Sequence, residues 1–204
     1  MQLVQAVIPT VVNVLLLGAL PFFGYALYQK VRHRRPFGES ASRAGLQAGT
    51  GPHLLMAAIL AAAGVAALIA FPPPVAPMIR PGSPQEAFAG LGINTTSVAM
   101  AVLYGVVKTG FAEELLFRGL IAGSLMRRMR LRWANLLQAA IFLLPHLLIL
   151  KVMPELWPIL PLGFVMALVT GWLRARSGSI AGPWLIHAAL NVTMCLSVAA
   201  RTAA

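Results

Sequence analysis

Residues 2–29 contain no Lys, Arg, Asp or Glu, and the same holds for 54–71, 133–150, 156–173 and 178–200. About 20 apolar residues in helix cross a hydrocarbon core of roughly 30 Å. A further window at 97–126 is apolar but broken by Lys108, Glu113, Glu114 and Arg118. Within a bilayer the backbone must satisfy its own hydrogen bonds, which helices do. The chain is therefore expected to be all-α, a polytopic bundle of about six transmembrane helices. The first window lacks the basic flank of a cleavable signal and is too long for one, so it reads as a retained span. Residues 1–96 form an N-terminal transmembrane region of two spans and a Pro-rich loop. Residues 97–200 hold the remaining spans, with no internal repeat.

Composition closes off the alternatives. Apolar residues make up 59% of the 204, and charged ones 10%, against about 25% in soluble domains. That excludes a disordered chain and an ordinary soluble enzyme. The single cysteine, Cys195, excludes an intrachain disulfide and a Cys-cluster metal site and reads as a small buried apolar residue. A net charge of +11, from 16 basic residues and five glutamates, would suit nucleic acid if it lay on one face. Instead the basic residues fall at 30–43, 127–132 and 174–176, between apolar windows, as juxtamembrane anchors do; no nucleic-acid partner is expected. Eleven of them lie in alternate loops, and three (Arg80, Lys151 and Arg201) lie on the other side. The positive-inside rule then gives N-out and C-out. The outward loop at 72–95, with six prolines, cannot be regular helix and is expected to lie flat or form a lid. Trp133, Trp157 and Trp172 read as interfacial anchors and Trp184 as packing. Asn94-Thr95-Thr96 formally matches a glycosylation acceptor.

Ionisable groups inside a membrane mark function by default. Glu113 and Glu114 adjoin in FAEELLFRG. Glu114 and Arg118 are one helical turn apart and can pair; Glu113 lies about 140° from Arg118, so that pairing leaves it unserved and available for chemistry. His146 follows Pro145 within a span. His187 and Asn191 sit one turn apart in the last span. Counted from Arg127, Arg132 and Ser177, Glu113, His146 and Asn191 each lie 14 residues deep and His187 lies 10 deep, roughly 15–21 Å at 1.5 Å per residue. Three spans thus present polar groups at one level. A carboxylate with an imidazole can hold and deprotonate water, and a second imidazole with an amide can stabilise an oxyanion. The same inventory could supply a zinc site from Glu113, His146 and His187. Intramembrane Glu and His also build proton relays, so a proton-coupled transporter component is an alternative, as is a non-catalytic immunity-type membrane protein.

The series Glu113-Glu114-x-x-x-Arg118, Phe142-x-x-x-His146 and His187-x-x-x-Asn191 resembles the CAAX-processing and bacteriocin-processing (CPBP, or Abi) intramembrane proteases over about residues 97–200. The resemblance implies an intramembrane endopeptidase with its catalytic core in that region, acting on a membrane-embedded protein or lipid-anchored peptide. It implies Glu113 as the base and His146 as a positioner of its water. His187 and Asn191 would serve the oxyanion, Glu114 and Arg118 would form a supporting pair, and Phe142 would pack beside His146. The family has been described both as metalloproteases, with a divalent ion such as zinc, and as metal-free, glutamate-dependent enzymes. A multi-pass protein of the bacterial inner membrane is the expected setting.

Overall fold

The computed structural model describes residues 2–203. Six helices have the length and hydropathy of membrane spans. They are α1 (Gln2–His33), α3 (Gly51–Ala70), α4 (Thr95–Met126), α5 (Leu131–Ile149), α6 (Ile159–Ser177) and α7 (Ala181–Arg201). A short helix, α2 (Phe37–Arg43), follows α1. No strand is present among the described residues. The chain is a multi-pass, all-α integral membrane protein.

The helix ends follow from local chemistry. Lys30, Arg32 and His33 occupy the last turn of α1, where cations complement the helix dipole. Arg34 then takes a left-handed conformation, φ 54°, and stops the helix. Gly178, φ 70°, ends α6, a conformation that glycine adopts without a Cβ penalty. At the start of α4, Asn94 accepts from the Ser97 N–H and donates its own N–H to Ser97 Oγ, both at 3.0 Å. This is a reciprocal cap: the asparagine that matches a glycosylation acceptor serves as a helix start.

α4 is the central helix. Of its apolar window 39% is buried, against 11% for α1 and for α3, whose outer faces carry exposed residues such as Val4, Ile8, Leu55 and Ile59. Between α4 and α7 the backbones meet closely. A Cβ placed on Gly105 would stand 2.7 Å from Val192 Cγ2 and 2.8 Å from the Val192 nitrogen. Small residues permit such contact between membrane helices. α5 and α6 are clamped by amides instead: Asn135 Nδ2 donates to the Leu168 carbonyl at 2.9 Å, and Gln138 Nε2 donates to the Ala167 carbonyl at 2.7 Å.

Regular α-helix gives way to the wider π form over Leu103–Phe111 and again over Leu115–Ala122. Side chains take up carbonyls in the first stretch. Trp184 Nε1 donates to the Val106 carbonyl at 2.7 Å, Asn13 Nδ2 to that of Lys108 at 2.6 Å, and Thr109 Oγ1 to that of Tyr104 at 3.0 Å. Inserted donors of this kind satisfy carbonyls released by a change of helical register. Trp184, expected only to pack, thereby ties α7 to α4. Between the two π stretches lies a three-residue α segment, Ala112–Glu114, which holds both glutamates.

The Pro-rich loop after α3 forms two short 3-10 turns, Ala76–Ile79 and Glu86–Phe88. Met78 and Phe88 insert into a buried cluster with Met100, Met153, Cys195 and Val198. The loop is thus packed onto the end of the bundle. Cys195 is fully buried there.

Candidate active site

Four helices contribute to the site. On α4, Glu114 and Arg118 are buried side by side, with Glu114 Oε1 3.0 Å from Arg118 Nη1. Arg118 is held on three sides. Thr170 Oγ1 of α6 accepts from its Nε at 3.1 Å and from its Nη2 at 2.8 Å. The ring of Phe142 on α5 lies under the guanidinium, 4.1 Å from centroid to Cζ. Such stacking stabilises a desolvated cation. A charge that would be expensive in lipid thus has a carboxylate, a hydroxyl and an aromatic face.

Glu114 also reaches α7. His187 Nδ1 stands 2.8 Å from Glu114 Oε1. A carboxylate paired with an arginine accepts, so Nδ1 carries the hydrogen and donates. That bond fixes the orientation of the ring, as second partners of functional histidines do. The other nitrogen, Nε2, then faces Glu113 Oε2 at 3.9 Å. This separation is too long for a direct hydrogen bond. The two side chains retain 14% and 19% exposure, whereas Glu114 retains 1%. Adjacent glutamates therefore differ: one is locked into an ion pair, and the other faces an imidazole without a hydrogen bond to it.

Phe142 joins the second histidine to this group. Its ring centroid is 4.6 Å from that of His146 and 6.2 Å from that of His187. His146 Nδ1 donates to the Phe142 carbonyl at 2.9 Å, which leaves Nε2 for other partners. α5 runs helically through Pro145. His187 is the histidine that approaches Glu113; His146 makes no ion-pair contact with either glutamate. Asn191, one turn after His187 on α7, donates through Nδ2 to Thr109 Oγ1 at 2.8 Å, on the turn of α4 that precedes Glu113.

The fit to a metal is poor. Among the described residues no three His, Cys, Asp or Glu side chains are gathered closely enough to hold an ion, so Glu113, His146 and His187 do not form the ligand set that their types allowed. Two participants carry little signal in the sequence. Thr109 and Thr170 are single hydroxyls in apolar spans, and a helical threonine ordinarily bonds its own helix. Lys108 lies five residues before Glu113, with Nζ 5.2 Å from the Tyr104 ring centroid. It lines a cavity of about 290 Å³ together with Thr10, Phe88, Met100 and Tyr104.

Residues 94–193 match the family described as Type II CAAX prenyl endopeptidase Rce1-like. The match runs from the cap of α4 to two residues beyond Asn191 and includes all three motifs. No curated protein and no solved structure matches the chain. Over that stretch, just under half of the chain, the sequence is similar to the Rce1-like CAAX endopeptidases, the same kinship that its CPBP-like motifs suggested, and the match supports an intramembrane protease at the level of the family.

Proposed function

We propose that the protein hydrolyses a peptide bond of a membrane-embedded or lipid-anchored substrate, with Glu113 as the base that activates water. The observation that carries this reading is the pair Glu113 Oε2 and His187 Nε2, 3.9 Å apart and both partly exposed. A water beside them can hydrogen-bond to both. Glu113 takes one proton as the water oxygen attacks the carbonyl carbon, and that proton then passes to the departing amine nitrogen as the C–N bond breaks. Glu114 and Arg118 are positioning residues that hold His187. As an imidazolium, His187 donates from Nε2 to the developing oxyanion. The second N–H of Asn191 Nδ2 is free of Thr109 and offers another donor. His146 presents Nε2 beyond Phe142, where it contacts the substrate or its water. No step requires a metal.

In this reading residues 97–200 carry the chemistry and 1–96 enclose it, in a bacterial inner membrane with the basic end of the bundle facing inward. The test is comparative proteomics of membranes from cells with the wild-type protein and with Glu113→Gln. A membrane or lipoprotein precursor should accumulate uncleaved in the variant, and purified Glu113→Gln should fail to cleave it. Full cleavage by folded Glu113→Gln would overturn the mechanism.

A further inference from the structure

We propose that the end of the bundle opposite the Pro-rich loop holds a binding site for a phosphate headgroup, that of an anionic phospholipid. The site is a cavity of about 480 Å³ where α1, α2 and α4 end, lined among others by Tyr25, His33, Arg35, Arg43, Arg127 and Arg128.

The charge there is unbalanced. Glu39 is the one carboxylate nearby, 2.8 Å from Arg35 Nε and 3.9 Å from Arg43 Nη1. Arg127 and Arg128 make no ion pair among the described residues. Behind them, buried Arg174 donates from Nη2 to the Arg43 carbonyl at 2.9 Å, and its Nε has no partner. Packed guanidinium groups with so little counter-charge repel one another, and an anion relieves that repulsion.

The donors also converge. Tyr25 Oη accepts from Arg43 Nε and from Arg127 Nη2, both at 3.3 Å. With two guanidinium N–H groups on its lone pairs, the hydroxyl has its hydrogen left to give, and among the described residues it gives it to none. Arginine forks and a hydroxyl donor suit phosphate oxygens. Position selects the lipid as the source. The cavity lies at the ends of two membrane spans, at headgroup level, and α1 continues from it into the bilayer with exposed Phe23 and Leu27. Basic pockets between transmembrane helices hold anionic headgroups in this way.

The test uses the purified full chain in detergent, offered phosphatidylglycerol, phosphatidylcholine or inorganic phosphate. Bound lipid is counted by native mass spectrometry and stability followed by thermal unfolding. Phosphatidylglycerol should be retained and raise Tm, with phosphatidylcholine and inorganic phosphate doing neither. Arg127→Gln with Arg128→Gln should weaken retention at least about tenfold. Tyr25→Phe should weaken it about fivefold with the fold intact. Arg130→Gln with Arg132→Gln, at the same end but outside the cavity, should leave it unchanged. Equal loss in that control pair, unchanged retention in Tyr25→Phe, or a shift reproduced by inorganic phosphate alone would overturn the assignment.

Discussion

Glu114 is 1% exposed and holds both Arg118 and His187, whereas Glu113 retains 19% exposure and lies 3.9 Å from His187 without a hydrogen bond to it. The two substitutions to glutamine should therefore separate. Glu113→Gln leaves the ion pair in place and should abolish cleavage, by about 100-fold or more, with Tm unchanged. Glu114→Gln strands Arg118 in an apolar core, an outcome that costs about 3–5 kcal/mol. It also presents an amide to His187 Nδ1. Activity and Tm should both fall, which parallel peptidase and thermal-unfolding assays would show; an unchanged Tm would refute the positioning role. Thr170→Val removes the acceptor shared by two N–H groups of Arg118 and should lower stability by about 1–3 kcal/mol, read by the same unfolding assay. The split between the glutamates was legible from spacing, because only Glu114 is one turn from Arg118. The threonines were not. Thr170 donates to the Met166 carbonyl of its own helix at 2.7 Å, as a threonine in any apolar helix does, and its second role exists only once α4 is beside it.

α4 is the element on which the site depends, and its geometry is set by its neighbours. The span limits were readable within a few residues because each apolar window is free of charge or nearly so, with charged residues beyond its ends. The π stretches were not, since the carbonyls within Leu103–Phe111 are taken by Trp184 of α7 and Asn13 of α1, contacts no local pattern encodes. A uniform 100° per residue nevertheless paired Glu114 with Arg118, because that face is also fixed by charge. The approach of α7 to α4 at Gly105 sets the place of His187 and Asn191. Gly105→Ala would bring a methyl to 2.7 Å from Val192 Cγ2 and 2.8 Å from its backbone nitrogen, and a backbone atom cannot rotate away. α7 must move outward. Displacement of about 1 Å at a site can cost about 100-fold in rate. Gly105→Ala should insert normally, lose most activity and unfold at lower temperature, by about 1–3 kcal/mol of overpacking. Wild-type turnover in this variant would show that the approach is not needed.

At the scale of the molecule the two ends of the bundle differ. Basic residues crowd one end, while the other is covered by the Pro-rich loop packed on Met100, Met153 and Cys195. The proline content foretold the irregular backbone of that loop, but not where it docks, because docking depends on the two buried side chains Met78 and Phe88 meeting partners from α4, α7 and the segment between α5 and α6. Its one ion pair among the described residues is made by Arg80, whose Nη1 and Nη2 donate to the two oxygens of Glu155 at 2.9 and 2.7 Å. The hydrogen bonds from Arg80 hold the Glu155 carboxyl below the usual carboxylate range. A depressed carboxylate stabilises the folded form above its unfolded pKa, about 4.3, and that contribution disappears as pH falls through the lower folded value. Both groups are largely solvated, with 43% and 49% exposure, so the tie should govern local opening and leave global stability nearly unchanged. Hydrogen exchange over residues 76–88 should therefore accelerate, relative to the intrinsic rate, when pH is lowered past the folded pKa of Glu155. Arg80→Gln should produce the same acceleration at neutral pH, abolish the acid response and leave Tm in place. If exchange in Arg80→Gln matched the wild type at neutral pH, the loop would be held without the ion pair, by the buried contacts of Met78 and Phe88 and by the hydrogen bonds from Arg201 to the Pro73 carbonyl and from the Gly90 N–H to Thr202.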